Sequence, residues 1–210
     1  MDEYTKPDYE NIGLITIDIQ NDFSLKGAVC EITGTYKIIP NMVRILKRFR
    51  EKNKPIIHVV RIYKEDGSNV DICRKKRVEE GLRIVAPNSE GAEIVKELKP
   101  NNKKLDSKNL LNREIQEIAL NEFVMYKPRW GAFYKTPLEN FLKEKKISTL
   151  VFTGCNFPNC PRTSIFEASE RDFRLVIIED AISGIYEKGI MELRNICCEV
   201  MTTEEFLQKF

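Results

Sequence analysis

Eight residues, Asn11-Ile-Gly-Leu-Ile-Thr-Ile-Asp18, make a nearly continuous apolar run that a carboxylate ends. A strand with one wet face alternates polar and apolar positions, whereas a run without alternation suits a strand covered on both faces. Such strands belong to parallel sheets packed between helices. Similar runs recur at Lys54 to Tyr63, Leu150 to Thr153 and Phe173 to Asp180, with shorter ones at Phe123 to Lys127 and Glu199 to Thr202. Between them lie helical patterns. The clearest runs from Lys37 to Lys52, where Ile38, Ile39, Met42, Val43, Ile45, Leu46 and Phe49 form one stripe and Pro40 sits early. Others fall at Pro137 to Lys145, Cys160 to Arg171 and Gly189 to Cys198. Strands alternating with helices predict an α/β fold: a three-layer, doubly wound, mostly parallel sheet of Rossmann-like layout.

The 210 residues suffice to bury a core without disulfides or metals, and a single domain over residues 1–210 is expected. Residues 70–90 have weak periodicity. The polar segment 100–121, with Leu110, Leu111, Ile115 and Ile118 at helical spacing, predicts an inserted surface helix. The net charge of +2 is nearly balanced and the basic residues are dispersed, which argues against nucleic acid as a partner. The one local cluster, Arg74-Lys-Lys-Arg77, is followed by Glu79 and Glu80 and reads as a solvated helix face. No apolar run is long enough to span a bilayer, and the first residues lack the apolar segment of a signal peptide. The six cysteines show no disulfide-framework spacing, so reduced thiols and a cytoplasmic location are expected.

The segment after Leu150 carries the chemistry. Gly154 breaks the strand, Pro158 and the flanking asparagines make a turn, and a helix then opens with Cys160. The first amides of a helix are unpaired donors with positive partial charge, which favour a thiolate and suit an oxyanion. Asp18, Lys127 and Cys160 each end or follow a separate strand. In a parallel sheet such ends gather at one edge, so groups distant in sequence converge in one cleft.

These residues resemble the motifs of the isochorismatase-like cysteine hydrolases, relatives of nicotinamidase, N-carbamoylsarcosine amidohydrolase and ureidoacrylate amidohydrolase. Leu14-Ile-Thr-Ile-Asp-Ile-Gln-Asn-Asp-Phe23 resembles the opening motif, Tyr126-Lys-Pro-Arg-Trp-Gly-Ala-Phe133 the lysine motif and Thr153-Gly-Cys-Asn-Phe-Pro-Asn-Cys160 the nucleophile motif. The resemblance implies Asp18, Lys127 and Cys160 as catalytic residues and a cis peptide at Cys155–Asn156. The chemistry of the three groups then suggests a cysteine hydrolase that cleaves a C–N bond through a thioester, with Cys160 ionised by Lys127 and the helix start. Asp18 moves the proton, and the backbone N–H groups of Asn156 and Cys160 hold the oxyanion. Family members are commonly homo-oligomers, so a dimer or tetramer is expected.

Departures from the family pattern bear on the substrate. Gly131 stands where many members have serine, Asp172 where many have glycine, and Cys155 to Asn159 replace small or β-branched residues. Nicotinamidases of the family carry a zinc-type site after the second strand, built from an Asp-x-His pair and further histidines. Here Val60 to Asn69 contains no histidine and His58 lies within a strand, so neither a metal nor another cofactor is expected. Phe23, Trp130, Phe133 and Phe157 are candidate walls for a small planar amide. Arg61, Arg129 and Arg162 are candidates to grip a substrate carboxylate or else to pair with Glu or Asp, the ion pair being at least as expected for Arg162. Two other readings compete: a redox protein using Cys155 and Cys160, which leaves Asp18 and Lys127 without roles, and a catalytically silent binding or scaffold subunit.

Overall fold

The computed structural model describes residues 2–210. Its chain order is β1 (Ile12–Ile17), α1 (Asn21–Ser24), α2 (Thr35–Glu51), β2 (Ile56–Val60), α3 (Ile72–Glu79), α4 (Ser107–Leu111), β3 (Gln116–Ala119), β4 (Glu122–Tyr126) and α5 (Leu138–Glu144). Then follow β5 (Thr149–Gly154), α6 (Cys160–Ser169), β6 (Arg174–Ile182), α7 (Glu187–Asn195), β7 (Glu199–Met201) and α8 (Thr203–Lys209). The strands form one sheet in the order β3-β4-β2-β1-β5-β6-β7, parallel except for β3.

Every residue of β1 is buried, because helices cover both faces of the sheet. Alternate side chains divide between two cores. Ile12 and Leu14 face the side packed by Ile38, Met42, Ile45 and Phe49 of α2 and by Phe206 of α8. Ile15 and Ile17 face the side filled by Leu138 and Leu142 of α5, Ile165 and Ala168 of α6 and Leu193 of α7. Each large side chain so buried stabilises the fold by roughly 1.5–3 kcal/mol before entropy is counted. On the α2 side, His58 hydrogen-bonds Thr16 through Nδ1 at 2.8 Å and Glu122 through Nε2 at 2.9 Å, and Arg50 of α2 clamps the same carboxylate at 2.7 and 2.8 Å. The single histidine is thus a hydrogen-bonded core residue.

Three local expectations change. Residues 100–121 do not form a helix: only Ser107–Leu111 is helical, and Gln116–Ala119 pairs antiparallel with β4. Arg113 and Asn121, both at positive φ, end the helix and close the hairpin, so the edge of the sheet wins over the apolar spacing. Pro40 lies in the second turn of α2, not the first. Its missing donor would have faced Tyr36, which is exposed, so water can serve that carbonyl. The C-terminal α8 is an addition. It starts with a capping box in which Thr202 and Glu205 exchange hydrogen bonds.

The strand order turns around at β1. From there the chain builds outward through β2 and β4, and later restarts beside β1 with β5 and runs outward through β6 and β7. The carboxyl ends of β1 and β5 flank this switch point, where open α/β sheets leave a crevice.

Candidate active site

Asp18 follows β1 directly, at φ 53°, with its N–H donating to the Val59 carbonyl at 2.9 Å. Lys127 follows β4, and its N–H donates to the Val60 carbonyl at 3.0 Å. The two side chains meet: Lys127 Nζ lies 2.8 Å from Asp18 Oδ2, both buried. Nζ also reaches the Arg129 carbonyl at 3.3 Å. Asp18 Oδ1 is buried without a hydrogen-bond partner among the described residues.

The turn that presents Cys160 is held by its backbone. Gly154 takes φ 126°, and a Cβ there would stand 2.3 Å from the Ile17 carbonyl oxygen, so only glycine lets β5 approach β1 this closely. The Cys155 N–H donates to that same carbonyl at 2.9 Å, Ser183 N–H to Gly154 O at 3.0 Å and Phe157 N–H to Ser183 O at 2.8 Å. The Cys155–Asn156 peptide is cis. The backbone N–H groups of Asn156 and Cys160 make no hydrogen bond to any described residue, which leaves both donors free. Ser164 Oγ donates to the Cys160 carbonyl at 2.7 Å and accepts from the Ala132 N–H at 3.0 Å, tying α6 to the loop after β4.

Burial and the Asp18 carboxylate push the Cys160 thiol up to about 12, against the opposing pull of Lys127 and Arg61. This corrects the expectation of an ionised sulfur. Burial and the adjacent negative carboxylate both favour the neutral thiol over the thiolate. A nucleophile in this state must lose its proton to a base as it attacks.

Asp18, Cys160, Asn156 and Asn159 share one small cavity, closed by Phe23, Trp130 and Arg74. It leaves about 10 Å³ for the centre of a water molecule, room for about one water. Phe23 and Trp130 therefore stand where the sequence suggests, whereas Phe133, Phe157, Arg61, Arg129 and Arg162 do not line this cavity. Phe133 packs against Phe173 at 5.9 Å beneath the Arg171 guanidinium, and Phe157 is fully buried, edge-on to Tyr186 at 5.3 Å. Both roof the second core instead of the cavity. Arg129 is exposed and bonds the carbonyls of Asn69 and Pro128 at 3.0 and 2.7 Å, outside the cavity wall. Arg162 pairs with Glu192 at 2.6 Å.

Arg61 is buried and ion-paired with Asp71, and its Nη2 also contacts Tyr63 Oη at 3.1 Å. Its backbone is clamped by Gln20, which accepts from the Arg61 N–H and donates to its carbonyl, each at 2.7 Å. The residue that sequence reasoning missed is Arg74, read there as part of a solvated face. It lines the cavity, donates to Tyr63 Oη at 2.7 Å and lies 5.7 Å from the Phe23 ring centroid. A signal was present: α3 carries no apolar stripe and buries no residue, so something other than a core stripe must hold it. The region does not fit a divalent metal. After β2 stands the Arg61 guanidinium, which cannot ligate a cation, and no group of three or more His, Cys, Asp or Glu among the described residues could hold one.

The fold and this site define a doubly wound α/β protein of the hydrolase type, with a thiol, a carboxylate and an ammonium brought to the switch point of its sheet. The isochorismatase domain matches residues 13–205, and the chain belongs to that family. A probable inactive nicotinamidase of Arabidopsis thaliana is 29% identical over 207 residues, covering 96% of this chain and 97% of the relative. The N-carbamoylsarcosine amidase of an Arthrobacter species is 27% identical, covering 93% and 69%. Among solved structures, an isochorismatase family protein from Desulfovibrio vulgaris superposes with a TM-score of 0.81 at 28% identity, covering 94% and 97%. No helix among the described residues is long and apolar enough to cross a membrane.

Proposed function

We propose that this chain is a cysteine amidohydrolase that cleaves the C–N bond of a small amide, ureido or carbamoyl compound, without a metal, through a thioester. One observation carries the reading. Asp18 is held by Lys127 through Oδ2 while Oδ1, buried and unpartnered, is left to serve as a proton acceptor in the cavity that holds Cys160.

In this mechanism Asp18 takes the thiol proton as Cys160 sulfur adds to the carbonyl carbon. The oxyanion is met by the free N–H groups of Asn156 and Cys160, donors of the kind whose loss typically slows acyl transfer about a hundredfold or more. The tetrahedral adduct collapses as the C–N bond breaks, and the leaving nitrogen takes the proton from Asp18. Asp18 then draws a proton from water while hydroxide adds to the thioester. The C–S bond breaks and the proton returns to sulfur. Lys127 keeps Asp18 oriented between the two halves. The amidase name of the Arthrobacter relative and the amidohydrolase names of others agree with this class of reaction.

A panel of small amides and ureido compounds assayed for ammonia release, with mass spectrometry for an acyl group on Cys160, tests it. Turnover lost in Cys160→Ala and in Asp18→Asn with unchanged circular dichroism supports the mechanism, and full activity in either variant removes it. A second reading, a binding subunit without turnover, draws support from the nearly closed cavity and from the inactive status in the plant relative's name. No ammonia release and no acyl adduct across the panel would favour it.

A further inference from the structure

A second cavity, of about 240 Å³, shares no residue with the wall of the catalytic one. Three segments enclose it: the loop that leaves β2, the link between α4 and β3, and the loop between β4 and α5. They bring together Lys64, Arg113, Arg129 and Lys135, cations too far apart in the chain to read as a cluster. No acid lines the cavity, and none of these cations forms an ion pair among the described residues. The acids beside them in sequence, Glu65, Asp66 and Glu114, are not part of its wall, and Asp66 Oδ1 is spent on the Ser68 N–H at 2.9 Å. Like charges gathered without a counter-charge raise the free energy of the folded chain, and an anion among them lowers it.

The donors are seated as well as charged. Arg129 Nη1 donates to the carbonyls of Asn69 and Pro128, and Arg113 Nη1 to the carbonyl of Lys135. Each guanidinium is thus anchored by one nitrogen, and no described residue accepts from its Nε or Nη2. Tyr126 supplies a further donor from the buried side of the cavity. Asn69 Nδ2 donates to Ile62 O and to Tyr126 Oη, each at 2.8 Å, while Asn69 Oδ1 accepts from the Lys64 N–H at 2.8 Å. That amide is fixed by main chain on both sides, so it can only donate to the tyrosine. The phenolic hydrogen is left without an acceptor among the described residues. A buried tyrosine hydroxyl ordinarily finds one.

The geometry points to an anion site here that takes a phosphoryl group, free or carried by a small metabolite. A carboxylate would answer one of the gathered charges. A phosphate brings nearly two, with acceptor oxygens enough for the tyrosine and both guanidinium forks. The volume falls below the range of about 300–1,000 Å³ that holds drug-sized ligands, and so suits a phosphate or a small phosphorylated compound. Tyr126, Arg113 and Arg129 give donors held in place, and the exposed Lys64 and Lys135 add charge. The site stands apart from the hydrolytic reading and does not depend on it.

Calorimetric titration of the full chain with inorganic phosphate, pyrophosphate and glycerol phosphate, at constant ionic strength, tests this. Saturable one-site binding with a dissociation constant of about 1 mM or below is expected for at least one of them. Arg113→Gln and Arg129→Gln should each weaken it about 10-fold or more, the size of a charge-assisted hydrogen bond. Tyr126→Phe should weaken it by less. Arg44→Gln, which removes an exposed cation of α2, should leave it unchanged. Tighter binding of glycerol phosphate than of inorganic phosphate supports a phosphorylated metabolite as the ligand, and the reverse supports the free ion. Absence of saturable binding by all three overturns the inference. So does a loss in Arg44→Gln equal to that in the pocket variants, which would mean general attraction to a basic surface. An equal loss in Arg74→Gln would put the anion beside Cys160 and overturns it too. Where circular dichroism shows a pocket variant to be misfolded, Lys64→Gln and Lys135→Gln, both at exposed side chains, carry the same test.

Discussion

Lys127 Nζ sits 2.8 Å from Asp18 Oδ2 with both side chains out of solvent, so the two carboxylate oxygens are unequal. One is held by an ammonium and the other has no partner among the described residues. That asymmetry gives the base of the proposed mechanism a fixed direction.

Replacing Asp18 by Asn should separate acidity from catalysis. The variant loses the base, and proposed turnover should fall by about 10²–10⁴. It also loses a negative charge that pushes the Cys160 thiol up to about 12. The thiol should therefore become more acidic, and its alkylation by iodoacetamide should rise at lower pH than in the parent. A pH–rate profile of Cys160 labelling that does not move would show that the carboxylate does not act on the sulfur.

Lys127→Met should destabilise the fold by about 3–5 kcal/mol, because it strands a buried carboxylate. Adding Asp18→Asn should recover part of that loss. Urea unfolding of both single variants and the double variant gives the coupling between the two residues, and strict additivity would deny that the pair acts as a unit.

Acid should unfold the protein partly through Glu122. Burial pushes this carboxyl up, but hydrogen bonds from Arg50 and His58 outweigh it and hold it at about 2, below its ordinary value of 4.5. A depressed carboxyl contributes stability that is present above its unfolded value and is lost as pH falls through the folded one. The difference corresponds to roughly 3 kcal/mol, lost between about pH 4.5 and 2. Glu122→Gln should be less stable at neutral pH and should show a flatter acid limb when unfolding is measured against pH.

Gly154→Ala should be far worse than Gly81→Ala, although both glycines have positive φ. An added Cβ meets the Ile17 carbonyl at 2.3 Å in the first and nothing within 4 Å in the second. The gap in thermal or chemical stability should reach about 3 kcal/mol or more. Similar losses at both sites would show that backbone conformation alone, and not the β1–β5 approach, governs Gly154.

The placement of Asp18, Lys127 and Cys160 at one sheet edge was legible because apolar runs mark buried strands and the charged or reactive residue comes where each run stops. The rest depended on information that spacing does not carry. An aromatic residue on a loop can turn toward a cleft or toward the core: Phe133 and Phe157 turned to the core alone, Phe23 joins the α2-side core and also closes the cavity, and Trp130 lines the cavity. Residues 100–121 had helical spacing, yet part of the segment added an antiparallel strand at the sheet edge. Arg74 looked like one charge in a solvated run. Only the position of Tyr63 and Asp71 across a loop shows what holds it. The capping residues Thr202 and Glu205 were a readable start for α8 that strand-and-helix alternation alone did not use.

The peptide groups that lace the Cys155–Phe157 turn to β1 and β6 have a wider consequence. Sulfur and acid are aligned by main chain, whereas Arg61, Asp71 and Arg74 belong to the separate excursion that leaves β2. Exchanging side chains on that excursion would leave those backbone bonds, and with them the spacing of sulfur and acid, in place, so the two parts of this region can be altered one at a time.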